Sequence, residues 1–453
     1  MIRAFKKYFT SDDFLILKEA ATLFTGWRII ISLVGFFGLS FLPQVIAPGQ
    51  TGWAGAGADY WIKWANWDGG HFRGIAENGY IPFQVVFFPL YPMLIRGLMI
   101  IDIHSLWGGL IVSSLATIGA LFYLYKLTAL DYEEKVAKKV IYITLAFPTA
   151  FYFGAVYSEA LFLFLTVGAF YYARKKAWII ALLFASFSAV TRLTGLAVIL
   201  AVAIEYFLKT SKPPIMKEFW ANFLNRIGSY MAGIGVVFII AEEVLLNNRL
   251  YILAGLSRST ANFLMLFGLF LISFFVIKFI FRNFDYKRII SVPTFFIGVS
   301  FLPFIIYCTF LGLTQDNFFA FVEHEELWHR HLTTPWTSPI TYFKSLVEVG
   351  IFQLGGRAQT LIEFLFFVMF SVLLVFSYFK LRISYTVFFA ICLILPLSTG
   401  TLTAIHRYGL IIFPIFILLG LIKNETYLQI WMYFSLTMLG FLTVLYINSY
   451  WVS

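Results

Sequence analysis

The stretch FQVVFFPLYPMLIRGLMIIDI, residues 83–103, is apolar and long enough to cross a bilayer, and its reading decides the topology of the whole chain. Counted as a span, it would put every later cluster of Lys and Arg on the outer side. Pro89, Pro92, Arg96 and Asp102 also make it a poor lipid-facing helix. Proline removes a backbone donor and crowds the preceding turn, and a charge in hydrocarbon costs roughly 2.5–3.5 kcal/mol on insertion scales. We therefore expect this segment to lie at the interface, or to re-enter the bundle, on the outer side.

With 83–103 set aside, apolar runs predict spans at roughly 22–44, 105–126, 140–156, 159–173, 177–190, 195–208, 227–246, 261–281, 289–311, 361–379, 384–398, 409–422 and 428–448. The clusters Lys6/Lys7, Lys135/Lys138/Lys139, Arg174/Lys175/Lys176, Lys209/Lys212/Lys217, Lys278/Arg282/Lys287/Arg288 and Lys380/Arg382 then share one side. That side is expected to be the cytoplasm, and the N-terminus with it, because inner loops are enriched in Lys and Arg.

Composition agrees with this reading. The 453 residues are 60% hydrophobic and 12% charged, with mean hydropathy +0.85, where a soluble domain carries about 25% charged residues. The expected fold is all-α: one polytopic integral-membrane domain over 1–453 with about 11–13 transmembrane helices. Continuous apolar runs exclude a barrel, whose strands alternate. Two long outer segments follow, 45–104 with short interfacial helices and 312–360. The net charge of +10 is accounted for by inner loops, so no nucleic-acid partner is expected. Cys308 and Cys392 fall in apolar segments and read as small buried hydrophobes. Residues 1–20 are charged and no small-residue cleavage site follows, so the first apolar run reads as a retained anchor.

All six histidines fall on the outer side of this topology, while the inner connections are short and hold no Walker loop or GxGxxG. Chemistry is therefore expected outside, without a soluble nucleotide. The outer side also collects polar groups that an apolar chain has little reason to keep. NWDGGHFRGIAENGY, residues 66–80, carries Asp68, His71, Arg73 and Glu77. Asp68 before Gly69-Gly70 suits a helix cap, Gly79 its stop, and the flanking Trp61, Trp64 and Trp67 suit the membrane–water boundary. YSEALF (157–162) places Glu159 in the turn of a tight hairpin, and VTRLTGL (190–196) places Arg192 in the next. The two either pair with each other or serve a ligand. QDNFFAFVEHEELWHRHLTTPW (315–336) holds Arg330 and His331 among acids and further histidines, and TAIHRYGL (403–410) holds His406 and Arg407. The H-x4-H-x-H spacing is no recognised zinc pattern and no HExxH occurs, so no essential metal or other cofactor is expected.

These segments together resemble the GT-C superfamily of glycosyltransferases, and more narrowly the PIG-V (GPI mannosyltransferase II) family in a bacterial-type form. NWDGGHFRGIAENGY with FFPLYP, then YSEALF, carry the resemblance most specifically; TRLTGL and the two later segments follow in the expected order. TRLTG stands where relatives tend to have TRSNG, and Gly69-Gly70 departs from the eukaryotic pattern. The resemblance implies an inverting transferase that moves a sugar, mannose by that likeness, from a polyprenyl-phosphate donor to a lipid or glycan hydroxyl. It maps the catalytic acid onto Asp68.

Elementary chemistry suits that assignment. A sugar hydroxyl is a poor nucleophile at neutral pH and needs a carboxylate to accept its proton, and a phosphate leaving group needs fixed cations. Arg192 and Arg407 lead as phosphate ligands, with His406, Arg330 and His331 behind them. Glu159 is expected to orient an arginine or a sugar hydroxyl, His71 to shuttle a proton or bind the acceptor, and Arg73 to bind substrate. Segment 83–103 would form the groove for the prenyl chain. The protein is expected to act as a monomer in a bacterial plasma membrane, with its site facing outward. A surface-polysaccharide ligase or polymerase is the nearest rival reading. A secondary transporter is a more distant one, since no repeat is evident and the charges gather at one face rather than at mid-bilayer.

Overall fold

The computed structural model describes residues 11–45, 59–208, 285–349 and 357–452, and the expected spans at 227–246 and 261–281 lie outside these. Among the described residues there is no β-strand. The first half holds α1 (Ser11–Gly38), the short α2 (Asp68–Asn78) and α3 (Leu90–Met99), then α4 (Ser105–Ala129), α5 (Glu134–Ala146), α6 (Glu159–Arg174), α7 (Trp178–Ala189) and α8 (Gly195–Phe207). The second holds α9 (Val292–Val299), α10 (Leu302–Gln315), α11 (Ala320–Glu323), α12 (Thr337–Val349), α13 (Arg357–Lys380), α14 (Ile383–Leu397), α15 (Ile405–Tyr408), α16 (Phe413–Gly420) and α17 (Glu425–Ile447).

Five stretches are long and apolar enough to cross a membrane: Asp12–Gly38, Ser105–Ala129, Val292–Gln315 (α9 with α10), Ala358–Lys380 and Glu425–Ile447. The chain is a polytopic helical membrane protein. Its layers follow from composition. α6, EALFLFLTVGAFYYAR, is apolar on every face and almost wholly buried, packed on α4, α7 and α8. A helix without a polar face has to be enclosed. By contrast, only 22% of the apolar window of α13 and 33% of that of α17 is covered by protein, which leaves the rest for lipid.

Segment 83–103 does not form a span. Pro82–Gln84 makes one 3-10 turn, Val85–Pro89 is irregular, and α3 has 10 residues, about 15 Å of helix against a core of about 30 Å. Tyr91, Pro92 and Ile95 face the bundle, and the Tyr91 hydroxyl donates to the Gly109 carbonyl at 3.0 Å. Met93, Ile100 and Ile101 are exposed on the other face. The expected span at 140–156 is corrected. α5 stops at Ala146 and Phe147 is extended (φ −58°, ψ 142°), because the ring of Pro148 disfavours helical geometry in the residue before it. The chain continues as a buried 3-10 turn, Ala150–Gly154. Likewise the run at 409–422 is divided into a turn at Gly409–Ile411 and the eight-residue α16. Broken backbone of this kind is tolerated at membrane depth where protein encloses it.

Lys139, Arg174, Lys380 and Arg382 share one end of the bundle. Arg174 Nη2 meets Asp131 at 2.7 Å and its Nε lies 3.8 Å from Glu205. Arg382 also pairs with Glu205, Lys139 meets Glu425 at 2.7 Å, and Tyr132 donates to the Lys380 carbonyl at 2.9 Å. α6 and α8 end there, while α5, α14 and α17 begin there. The opposite end therefore receives the starts of α6 and α8 and the ends of α14 and α17.

Candidate active site

That opposite end is where polar groups from the 66–80, 157–162, 190–196, 315–336 and 403–410 segments meet. Asp68 is the first residue of α2, and its Oδ2 accepts from Arg407 Nη1 at 2.8 Å across 339 positions of sequence. The expectation that Asp68 caps the helix is corrected. Trp67 is the cap residue, at φ 58° and ψ −121°, with its indole edge-on to Trp451 at 4.7 Å. A tryptophan in that backbone region is strained, and such strain persists where surrounding structure enforces it. The pinning is visible. Asn66 Nδ2 donates to the Tyr446 carbonyl at 3.0 Å, the Tyr157 hydroxyl donates to the Asn66 carbonyl at 3.0 Å, and the Val156 N–H donates to the Trp64 carbonyl at 2.9 Å. Released from capping, the Asp68 carboxylate points at the arginine. Gly79 does end the helix, at φ 85°, a conformation that suits glycine.

Arg407 reaches the site through α15, a single turn set by Ala404 in the left-handed region (φ 69°). Its Nε lies 3.4 Å from Glu159 Oε1, and its guanidinium carbon sits 5.5 and 5.6 Å from the rings of Tyr152 and Tyr157. Glu159, the first residue of α6, is 1% exposed and accepts from Arg192 Nη1 at 2.9 Å. Arg192 also donates to Ser158 Oγ at 3.0 Å. The result is one ionic chain, Asp68–Arg407–Glu159–Arg192. The pairing of Arg192 with Glu159 is present, yet Glu159 is shared with Arg407, so the two arginines stand side by side. Three helix starts, those of α2, α6 and α8, lie at this cluster, and helix N-termini favour negative charge.

Arg330 joins from the 324–336 segment. Its Nη1 donates to the Tyr408 hydroxyl at 2.9 Å, and Arg330 and Arg192 both lie within 6.0 Å of the Tyr408 ring. Glu325 Oε2 is 3.7 Å from Arg330. Burial pushes the Glu325 carboxyl above the ordinary range; Arg330 opposes the shift, Asp68 adds to it and Arg192 opposes it again. Tyr408 and Glu325 stood inside quoted segments without assigned roles; adjacency to Arg407 and Arg330 was their only sequence signal.

The remaining candidates are placed differently. His71 stacks on Phe87 (4.9 Å, 18°) and meets Phe83 and Trp328 at 5.4 and 5.2 Å, with Gln84 Nε2 at 3.3 Å from its Nδ1. Arg73 is turned to the flank of α2, donating to Ser105 Oγ at 3.0 Å and lying 3.5 Å from Glu77. His331 packs its ring on Gly400, and its backbone N–H donates to the Thr399 carbonyl at 3.2 Å. His406 is tied elsewhere, with Nε2 on the Val452 carbonyl at 2.9 Å. Trp64, expected half wet, is fully buried. Among the described residues no three His, Cys, Asp or Glu side chains group as metal ligands.

Burial lowers the His71 pKa to about 4, against an opposing pull from Asp68. The imidazole is therefore neutral at pH 7. Because its folded pKa lies below the unfolded value of about 6.5, the unfolded chain binds more protons as pH falls, and stability is lost below about pH 6.5. Between pH 7 and 5 the loss is on the order of 1–2 kcal/mol. Thermal unfolding in detergent at the two pH values should show a drop in the parent that is absent in His71→Phe. An equal drop in both would remove His71 as its source.

The arrangement offers a carboxylate at the mouth of an apolar bundle, next to three clustered guanidinium groups. Residues 55–227 match the family model Mannosyltransferase (PIG-V), a stretch containing Asp68, Glu159 and Arg192. No curated protein and no solved structure matches the chain. Over residues 55–227 this polytopic helical membrane protein is thus similar to the PIG-V mannosyltransferases, which supports a glycosyltransferase of that kind.

Proposed function

We propose that this enzyme transfers a mannosyl unit from a polyprenyl-phosphate donor to a hydroxyl of a lipid-linked or glycan acceptor by a single inverting displacement at the extracytoplasmic face. The observation that supports this most is the joining of Asp68, Glu159, Arg192 and Arg407 at one end of the bundle. In the step, the acceptor oxygen bonds to the anomeric carbon from one face while the bond from that carbon to the phosphate oxygen breaks on the other. The hydroxyl proton passes to Asp68, and the bonding pair leaves with the prenyl phosphate. Arg407 holds Asp68 by Oδ2 and so fixes the direction of its other oxygen. The leaving phosphate gains negative charge, and Arg192 and Arg330, on either side of Tyr408, are the cations assigned to it. Arginine suits this because its planar fork meets two phosphate oxygens at once. The exposed apolar residues of α3 would guide the prenyl chain.

The outward orientation rests on charge. Lys139, Arg174, Lys380 and Arg382 lie at the other end, the arrangement that Lys- and Arg-rich inner loops produce.

Purified protein supplied with radiolabelled polyprenyl-phosphate mannose and a panel of hydroxyl acceptors tests the reading, with the anomeric configuration of the product read by linkage-specific glycosidases. Release of prenyl phosphate with an inverted product is expected. A retained configuration, or use of a nucleotide sugar in its place, would refute the mechanism. Arg192→Ala should raise the donor KM by roughly 10–100-fold, the loss of a charge-assisted hydrogen bond to phosphate. An unchanged donor KM and rate would remove Arg192 from the phosphate site.

A further inference from the structure

One buried carboxylate near the site takes no part in the ionic chain from Asp68 to Arg192. Glu363 lies in α13, about 9 Å from the start of that helix at Arg357. α13 closes at Lys380, at the other end of the bundle, so its start points toward the site. Only 22% of the apolar window of α13 is covered by protein, yet Glu363 itself is 2% exposed. An ionisable group kept within a membrane span needs a partner or a task.

Glu363 Oε1 accepts from two donors. Gln359 Nε2, one turn back on the same helix, lies at 3.0 Å, and the backbone N–H of Ala404 at 3.3 Å. The second bond crosses 41 positions of sequence and reaches the residue that sets the α15 turn. Ala404 is 1% exposed and stands at φ 69°, ψ 10°. A residue other than glycine is strained in this left-handed region and stays there where its surroundings hold it. The Ala404 carbonyl in turn accepts from the backbone N–H groups of Arg407 at 2.9 Å and Tyr408 at 3.1 Å. Both peptide groups of Ala404 are thus fixed, one by Glu363 and the other by two residues that the site uses. The approach to the turn is fastened as well. The Thr403 backbone N–H donates to Thr401 Oγ1 at 3.1 Å, and the Tyr342 hydroxyl lies 2.9 Å from the same oxygen.

We propose that Glu363 is a positioning residue: by holding the N–H of Ala404 it enforces the left-handed turn that delivers Arg407 to Asp68 and the Tyr408 hydroxyl to Arg330. Its effect on transfer rests on the reaction proposed above, while its hold on the turn does not. The turn needs an acceptor oxygen from position 363, which Gln supplies and Leu does not. From position 404 it needs a positive φ, which Gly adopts without strain.

Thermal midpoints of the full-length parent, Glu363→Leu, Ala404→Gly and the double variant, in one detergent, test the hold on the turn. Whatever Leu gains by its apolar surface is common to both backgrounds and cancels in the comparison. Glu363→Leu should cost roughly 2–4 °C more in the parent background than in the Ala404→Gly background, the scale of one buried hydrogen bond. Single-turnover transfer and donor KM, measured with polyprenyl-phosphate mannose, then separate positioning from folding. Loss of folded protein lowers apparent turnover and leaves donor KM where it was, whereas a displaced Tyr408 loosens Arg330 and raises donor KM. Glu363→Leu should therefore raise donor KM and lower turnover, each by about tenfold. Glu363→Gln should keep both near the parent values, and Ala404→Gly should recover part of the loss caused by Glu363→Leu. Equal midpoint losses in the two backgrounds overturn the proposal, and so does an active Glu363→Leu protein with the parent's donor KM. A parent that uses no polyprenyl-phosphate mannose refutes the function proposed above instead, and the thermal comparison then decides this inference by itself.

Discussion

Asp68→Asn should abolish mannosyl transfer while leaving the fold in place. The substitution removes the proton acceptor and one negative charge but keeps the shape of the side chain, and the amide oxygen can still accept from Arg407 Nη1, now 2.8 Å from Oδ2. A positioned general base contributes typically 10²–10⁴-fold, so turnover should fall by about that factor at saturating donor. Donor KM should change little, because the phosphate is assigned to Arg192 and Arg330. Asp68→Glu separates position from chemistry. It keeps the carboxylate but moves it by about one bond length, away from a geometry that the strained Trp67 and the buried Asn66 enforce. Its rate should fall between parent and Asn variant, since small misplacements in an active site are costly. The measurements are single-turnover transfer and thermal unfolding in detergent. An Asn variant that folds and turns over at the parent rate would end the assignment of Asp68 as base.

Much of this site could be read without coordinates, for a specific reason. Asp68, Glu159, Arg192 and Arg407 are ionisable groups in an apolar chain, and retention of such groups requires a partner or a cavity. Their location on one side followed from counting spans against Lys and Arg clusters, which is why segment 83–103 mattered: one wrong span would have separated Asp68 from the others. What escaped the sequence was which group meets which. Glu159 could pair with Arg192 or serve a ligand, and no pattern indicated that it is shared with Arg407. Asp68 before two glycines has the local signature of a cap, yet long-range contacts to Tyr157 and Tyr446 put Trp67 in that role. Helix lengths failed for a local reason that was available. Pro148 sits inside the run expected to span at 140–156, and its effect on Phe147 ends α5. Apolar runs report burial, whether by lipid or by protein, and α6 shows that an apolar sequence can be wrapped by neighbouring helices instead of by membrane.

The second large effect concerns the middle of the ionic chain. Arg407 is 8% exposed at its side chain and serves both Asp68 and Glu159. Removing one partner of a buried pair typically costs about 3–5 kcal/mol, mostly because the other charge is left uncompensated. Arg407→Ala should therefore lower thermal stability and abolish transfer together, since Asp68 loses the contact that orients it. The effect should exceed that of Arg192→Ala, because Arg192 shares Glu159 with Arg407 while, among the described residues, Asp68 is paired with Arg407 alone. Glu159→Gln gives the complementary case. It leaves Asp68 on Arg407 but places two adjacent guanidinium groups without a shared anion, so stability should fall while added inorganic phosphate restores part of it. In the double variant Arg407→Ala/Glu159→Gln the loss should be smaller than the sum of the two single losses, as expected for groups that neutralise each other. Thermal midpoints of the four proteins in one detergent, with and without phosphate, measure this. Strict additivity, or an Arg407→Ala protein with the parent's midpoint and activity, would show that the chain from Asp68 to Arg192 does not act as one electrostatic unit.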